Sequence, residues 1–201
     1  DAEMTLTLHG KIGNIPASEC SVSIDPVTKR LTVTGTVHER MFYGPKLELK
    51  TTLSVNLNAT SFEISDTVTN HGASAQEFQL IYHANYGAPL LGEDAQVFAA
   101  AEWIAPMNEH AAKSIDKWQT YAAPTTGFTE EVYLFKPKAG DGKRTTALFV
   151  NSENDVATSL TWKITDLEWL TVWKNTAAEK DGYVTGIEPA TGFPYNRSVE
   201  R

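Results

Sequence analysis

Little in this sequence speaks for covalent staples, metals, nucleotides or membranes. One cysteine, Cys20, stands among 201 residues. No intrachain disulfide can therefore form, which fits a reducing, cytoplasmic setting. Cys20 lies in the alternating stretch Glu-Cys-Ser-Val-Ser-Ile, and reads as a quiet, half-buried thiol rather than a nucleophile. No apolar run approaches the roughly 20 residues that a membrane span needs, so no membrane partner is expected. Basic charge is scarce as well: 17 Lys and Arg against 25 Asp and Glu leave a net charge of −8. The cations are scattered, whereas a nucleic-acid partner needs them clustered. The five histidines (His9, His38, His71, His83 and His110) never fall at His-x-His or His-x-x-x-His spacing, and thiolate support is absent, so no metal site is expected. There is no Gly-rich phosphate loop, no dinucleotide fingerprint and no Gly-x-Ser-x-Gly elbow. The reading therefore implies no cofactor. The opening Asp1-Ala-Glu-Met-Thr has neither the basic start nor the apolar stretch of a signal peptide. Because Asp1 is not a natural initiator, further residues are expected upstream.

What the sequence has in abundance is alternation. Leu47, Leu49, Thr51, Leu53, Val55 and Leu57 share one parity, and Glu48, Lys50, Thr52, Ser54 and Asn56 share the other. A period of two is the strand signal. The same pattern marks the stretches starting at Arg30 and Phe62, and further strands are expected at Ser21–Ile24, Glu77–Tyr82, Gln96–Ala99, Glu131–Phe135, Ala147–Asn151, Ser159–Ile164, Trp169–Trp173 and Tyr183–Ile187. Frequent Thr and Val fit a pleated surface. Turn residues such as Tyr43-Gly-Pro45 and Asn70-His-Gly72 separate the runs. The best helical candidate, Met107 to Lys117, is short. Many strands without interleaved helices imply an all-β fold, a large antiparallel β-sandwich or barrel rather than a parallel α/β sheet. No repeat or linker divides the chain, so one domain over residues 1–201 is expected.

Three stretches are candidates for chemistry. In Leu8-His9-Gly10 the glycine lets the chain turn sharply while the imidazole is presented. A merely polar strand terminus is the alternative there. In Leu80-Ile-Tyr-His83-Ala-Asn85-Tyr-Gly-Ala-Pro89 an apolar strand ends in a cluster of Tyr, His and Asn. Rigid strand ends are where sites are built, and aromatic rings with an Asn suit a sugar, although a satisfied His at a sheet edge would look the same. In Gly182-Tyr-Val-Thr-Gly-Ile-Glu188-Pro189 the proline holds Glu188 extended. A desolvated carboxylate there could serve as a base near neutral pH; an exposed turn Glu is the alternative.

Taken together and in this order, the three stretches resemble the galactose mutarotase (aldose 1-epimerase) superfamily, in particular a bacterial aldose 1-epimerase-like branch formerly of unknown function. The resemblance runs from Leu8-His9-Gly10 to Glu188-Pro189 and on to Asn196. It implies a galactose-mutarotase-like supersandwich that lacks N-terminal strands and forms the C-terminal part of a longer chain. It also implies a cytoplasmic isomerase interconverting the anomers of a small-molecule sugar. Residue by residue, His83 matches the family's general acid and Glu188 its general base. His9 matches a sugar-contacting histidine, and Asn85 follows His83 as in the family. Lys174, in Val-Trp-Lys-Asn, resembles a basic residue that touches substrate. The family's sugar-binding Asp has no clear counterpart, and Glu131 is the candidate substitute. The family's Arg upstream of the first His has no counterpart in the chain. Missing strands would leave sheet edges bare, to be covered by the missing N-terminal segment or by a homodimer. Two other readings stay open: a non-catalytic carbohydrate-binding sandwich, and an epimerase acting at another carbon. For the enzymatic reading, the Glu188 carboxylate and the His83 ring are expected to face each other across a sugar-sized gap.

Overall fold

Most of the period-two stretches become strands. The computed structural model describes residues 9–195. Leu8 of the first motif and Asn196 lie outside the described residues. The chain divides into two compact units, residues 1–78 and 79–201.

The first unit is an antiparallel meander. Strands β1 (Glu19–Asp25), β2 (Arg30–Arg40), β3 (Lys46–Asn56) and β4 (Phe62–Asn70) lie side by side in chain order. The register aligns Val22, Val33, Leu53 and Ile64 in one cross-strand row and Ile24, Leu31, Val55 and Phe62 in the next. Such rows are the unit of sheet stabilisation. Here their outer ends, on β1 and β4, are exposed. Cys20 is exposed as well, not half-buried as expected. Every residue of β1 is exposed, so alternation in this edge strand carries no burial with it.

The second unit contains two sheets. Strands β6 (Gln96–Ala99), β9 (Arg144–Val150) and β10 (Ala157–Lys163) form a three-stranded sheet in the order β10-β9-β6. Strands β5 (Ala84–Tyr86), β7 (Ala101–Pro106), β8 (Glu131–Pro137), β11 (Trp169–Asn175) and β12 (Val184–Ala190) form a five-stranded sheet in the order β5-β12-β11-β8-β7. Every pairing between these strands is antiparallel. Between the sheets lies one apolar core. Val97, Phe149 and Trp162 come from the smaller sheet; Tyr133, Phe135, Leu170, Val172 and Ile187 come from the larger. Tyr86 and Tyr121 meet Phe149 edge-on, with ring centroids 5.5 and 5.3 Å apart, the geometry that aromatic quadrupoles favour. The helical candidate resolves into α1 (Glu109–Ala112), capped by the Asn108 side chain on the Ala111 N–H, and a 3-10 turn over Ile115–Lys117.

One expected strand fails. Of Glu77–Tyr82, only Ile81 makes an isolated bridge, to Ala190. The Ala84 N–H turns back onto the Tyr82 carbonyl at 3.0 Å, and this local turn interrupts the ladder. Regular pairing resumes at β5. No helix among the described residues is long and apolar enough to cross a membrane.

Candidate acid–base site

Because side chains alternate across a strand, register decides which residues can meet. The core-facing parity of the five-stranded sheet holds Tyr133, Phe135, Leu170, Val172 and Ile187. The opposite parity carries Glu188 and Gly186 on β12, and Thr171 and Trp173 on β11. Thr171 pairs with Glu188, and Trp173 with Gly186. On the other side of β12, Asn85 pairs with Gly186 and Ala84 with Ile187, while Ile81 bridges Ala190. Counting between those two anchors brings His83 opposite Glu188. Two rows therefore cross the sheet: His83, Glu188, Thr171, and next to it Asn85, Gly186, Trp173.

Cross-strand neighbours sit about 5 Å apart at Cβ, and the side chains close the remaining distance. His83 Nε2 lies 3.1 Å from Glu188 Oε1. The expected sugar-sized gap is therefore absent. The two groups touch, because they are neighbours across one ladder rather than facing each other from separate strands. Neither sits at a strand terminus in the way expected: Glu188 lies inside β12, which continues through Pro189 to Ala190, and His83 precedes β5.

The surroundings differentiate the partners. Glu188 is 3% exposed, and burial lifts its pKa from 4.5 to about 7, since a low-dielectric setting penalises the charged form. Its Oε1 is buried without a hydrogen bond of regular geometry, despite the close imidazole. The His83 ring is more open, at 30%. Its Nδ1 is 2.8 Å from Asn85 Oδ1. With the amide so oriented, Nδ1–H donates to Asn85, and Nε2 is left facing Glu188. The Trp173 indole packs edge-on against His83 at 5.7 Å, and its Nε1–H donates to Glu130 Oε2 at 2.8 Å. Opposite Glu188 on the other flank, Thr171 Oγ1 is buried without a hydrogen-bond partner.

Two of the remaining candidates, Glu131 and Lys174, lie on the other face of the same sheet. Glu131 and Lys174 pair with each other across β8 and β11, but on the core-facing parity, away from Glu188. The Lys174 ammonium donates to the Thr120 carbonyl at 2.6 Å and to that of Lys117 at 3.3 Å. It also lies 4.8 Å from the Tyr121 ring centre, a cation–π contact. Glu131 Oε2 accepts the Tyr133 hydroxyl at 3.0 Å. Burial lowers the Lys174 pKa to about 8, against the Glu131 charge that favours the ammonium. His9 is an exposed residue of the first unit. Of the five candidates in the second unit, then, His83, Asn85 and Glu188 come together. Trp173, Thr171, Gly186 and Glu130 join them unforeseen. Parity along Trp169–Asn175 separates Trp173 from Lys174, but which of the two meets Glu188 needs the β11–β12 register, and no local signal sets that. Among the described residues, no group of three or more His, Cys, Asp or Glu is placed to hold a metal ion.

The fold and this carboxylate–imidazole pair thus define an antiparallel all-β protein with a candidate proton-transfer site. The whole sequence, residues 1–201, matches the family described as a domain of unknown function (DUF4432), and the chain belongs to that family. Among solved structures it is similar to a putative aldose 1-epimerase from Klebsiella pneumoniae subsp. pneumoniae MGH 78578, with 38% sequence identity and a TM-score of 0.94 over 96% of this chain. The chain spans 50% of that protein's length. Comparison with curated proteins returns no match.

Proposed function

We propose that this chain carries the acid–base pair of an aldose 1-epimerase-like isomerase acting on a free sugar or sugar derivative. One observation carries this reading: a buried carboxylate with its pKa near neutrality, 3.1 Å from an imidazole nitrogen whose ring is fixed through its other nitrogen. The similarity to a putative aldose 1-epimerase supports it.

The chemistry needs one base and one acid. Ionised Glu188 takes the proton from the anomeric hydroxyl, and the protonated His83 Nε2 gives one to the ring oxygen. The bond from C1 to the ring oxygen breaks and an open-chain aldehyde forms. After rotation about C1–C2, the new hydroxyl attacks the other face of the carbonyl, returning its proton to His83. Glu188 returns the other to the carbonyl oxygen. Protons and electrons balance, with no oxidant or metal consumed. Each positioned group contributes about 10²–10⁴-fold in typical enzymes. Admitting a pyranose between the two requires the His83 ring to swing away from its contact, and its exposure leaves it the more mobile partner. Asn85 restores the ring to one tautomer.

The test is the decay of optical rotation of freshly dissolved α-aldoses and uronic acids. Faster decay with the purified protein, lost in both Glu188→Gln and His83→Ala, is the expected result. No acceleration across a broad panel would overturn the enzymatic reading and favour a binding sandwich.

A further inference from the structure

Glu188 and Gly186 lie two apart on β12 and share a face. A long side chain in a strand ordinarily stands off the sheet, but the Glu188 carboxylate does not. A Cβ built on Gly186 would fall onto Glu188 Oε1, and would lie 3.1 Å from Glu188 Cδ and 3.3 Å from Trp173 Cε3. The carboxylate therefore lies folded back along its own strand, in the volume that a side chain at position 186 would fill. Gly186 is regular strand backbone rather than a left-handed turn, so conformational freedom does not explain the residue. A glycine inside a strand marks a close approach, and here what approaches is the carboxylate itself.

We infer that Gly186 is a positioning residue: the side chain it lacks is the space that lays the Glu188 carboxylate flat and turns Oε1 toward His83 Nε2. Trp173 closes that space from β11, and Asn85, opposite Gly186 on β5, holds the imidazole on the other side. An added methyl has no cheap way out through Trp173, whose indole is held by Glu130. It can displace the carboxylate, the free end of a flexible side chain. Gly186→Ala then leaves the strand intact and moves the acid–base pair apart. Among the described residues of this unit, Glu188 is neighboured by His83 from the segment before β5 and by the uncharged Thr171 and Trp173 from β11, so a change in its titration reports on the His83 contact.

This inference rests on Glu188 and His83 being the reacting pair, but its test has a readout that does not. In the purified protein, carbon-13 NMR follows the Glu188 carboxyl titration and nitrogen-15 NMR reads the environment of His83 Nε2, in the parent and in Gly186→Ala. The expected result is a shifted Glu188 titration and a changed His83 Nε2 signal in a variant that melts within a few degrees of the parent. Mutarotation falls about 10- to 100-fold, as for a reacting group misplaced by about 1 Å, with a displaced pH–rate profile. In a Glu188→Gln background, Gly186→Ala has no further effect on rate. Parental titration curves in Gly186→Ala, or a rate loss of the same size with and without the Glu188 carboxylate, would overturn it. Should neither protein accelerate mutarotation, the functional reading fails while the NMR titrations still decide the role of Gly186.

Discussion

The two faces of the five-stranded sheet each bury one carboxylate beside one base, and they use them differently. On the core-facing side, Lys174 spends its protons on two backbone carbonyls and lies against the Tyr121 ring, while Glu131 accepts the Tyr133 hydroxyl. On the other side, Glu188 Oε1 is buried with no regular hydrogen bond, next to an imidazole, and the Thr171 hydroxyl beside it is also unbonded. A polar cluster whose members are all hydrogen-bonded is built for rigidity. One left with open valences is built to exchange a proton or take a ligand. Burial alone does not mark a site; what distinguishes Glu188 from Glu131 is what each lacks.

Substitutions at the two places should therefore fail in opposite ways. Glu188→Gln is expected to lower mutarotation by about 10²–10⁴-fold without lowering stability, because it removes a buried group that is costly to ionise. Lys174→Met should do the reverse. Removing one partner of a buried charged cluster costs about 3–5 kcal/mol, so the unfolding midpoint in denaturant falls steeply. A Lys174→Met protein with parental stability, or a Glu188→Gln protein that unfolds as readily as Lys174→Met, would dissolve the distinction.

Stability against pH offers a smaller effect with a sign. Glu188 has its pKa raised from 4.5 to about 7, so between those values the folded state holds a proton that the unfolded chain has released. The stabilisation is complete below about 4.5 and lost as pH rises through 7, by about 3 kcal/mol. Lys174 has its pKa lowered from 10.5 to about 8. Between 8 and 10.5 the unfolded chain holds the extra proton, so stability recovers as pH rises, by about 3 kcal/mol. Denaturant titrations from pH 4 to 10.5 should thus show a descending leg that Glu188→Gln flattens and an ascending leg that Lys174→Met flattens. Legs that survive these substitutions would assign the proton uptake to other groups.

The fold was legible because alternation is local. Leu47 through Leu57 announces β3, and the runs at Arg30 and Phe62 announce its neighbours, without any knowledge of pairing. The site was half legible. His83, Asn85 and Glu188 stood in short stretches with recognisable chemistry, and the register joins them. Lys174 and Glu131 were named through the resemblance alone, on strands whose alternation was legible, yet a shift of one residue in a strand reverses the face. Trp173 is the neighbour of Lys174 and meets His83; Glu130 is the neighbour of Glu131 and bonds Trp173. Only the pairing of β8, β11 and β12 separates these choices, and pairing is a long-range property that composition and periodicity do not contain.

The finest test of the comparison is Asn85→Ala. On the core-facing side each bond of Lys174 holds structure, so losing one costs stability. On the site side, the bond from His83 Nδ1–H to Asn85 (2.8 Å) joins two groups at the sheet edge, His83 being partly open to solvent, so water can replace Asn85 as acceptor at little cost to folding. What water cannot do is keep the ring in one tautomer and one orientation with Nε2 toward Glu188. A single hydrogen bond contributes about 1 kcal/mol, so Asn85→Ala should lower kcat about fivefold with an almost unchanged melting temperature, and Asn85→Asp should keep the acceptor and retain more of the rate. A loss as deep as that of His83→Ala would make Asn85 a direct participant in the reaction. An unchanged rate would mean that Trp173 packing alone orients the ring.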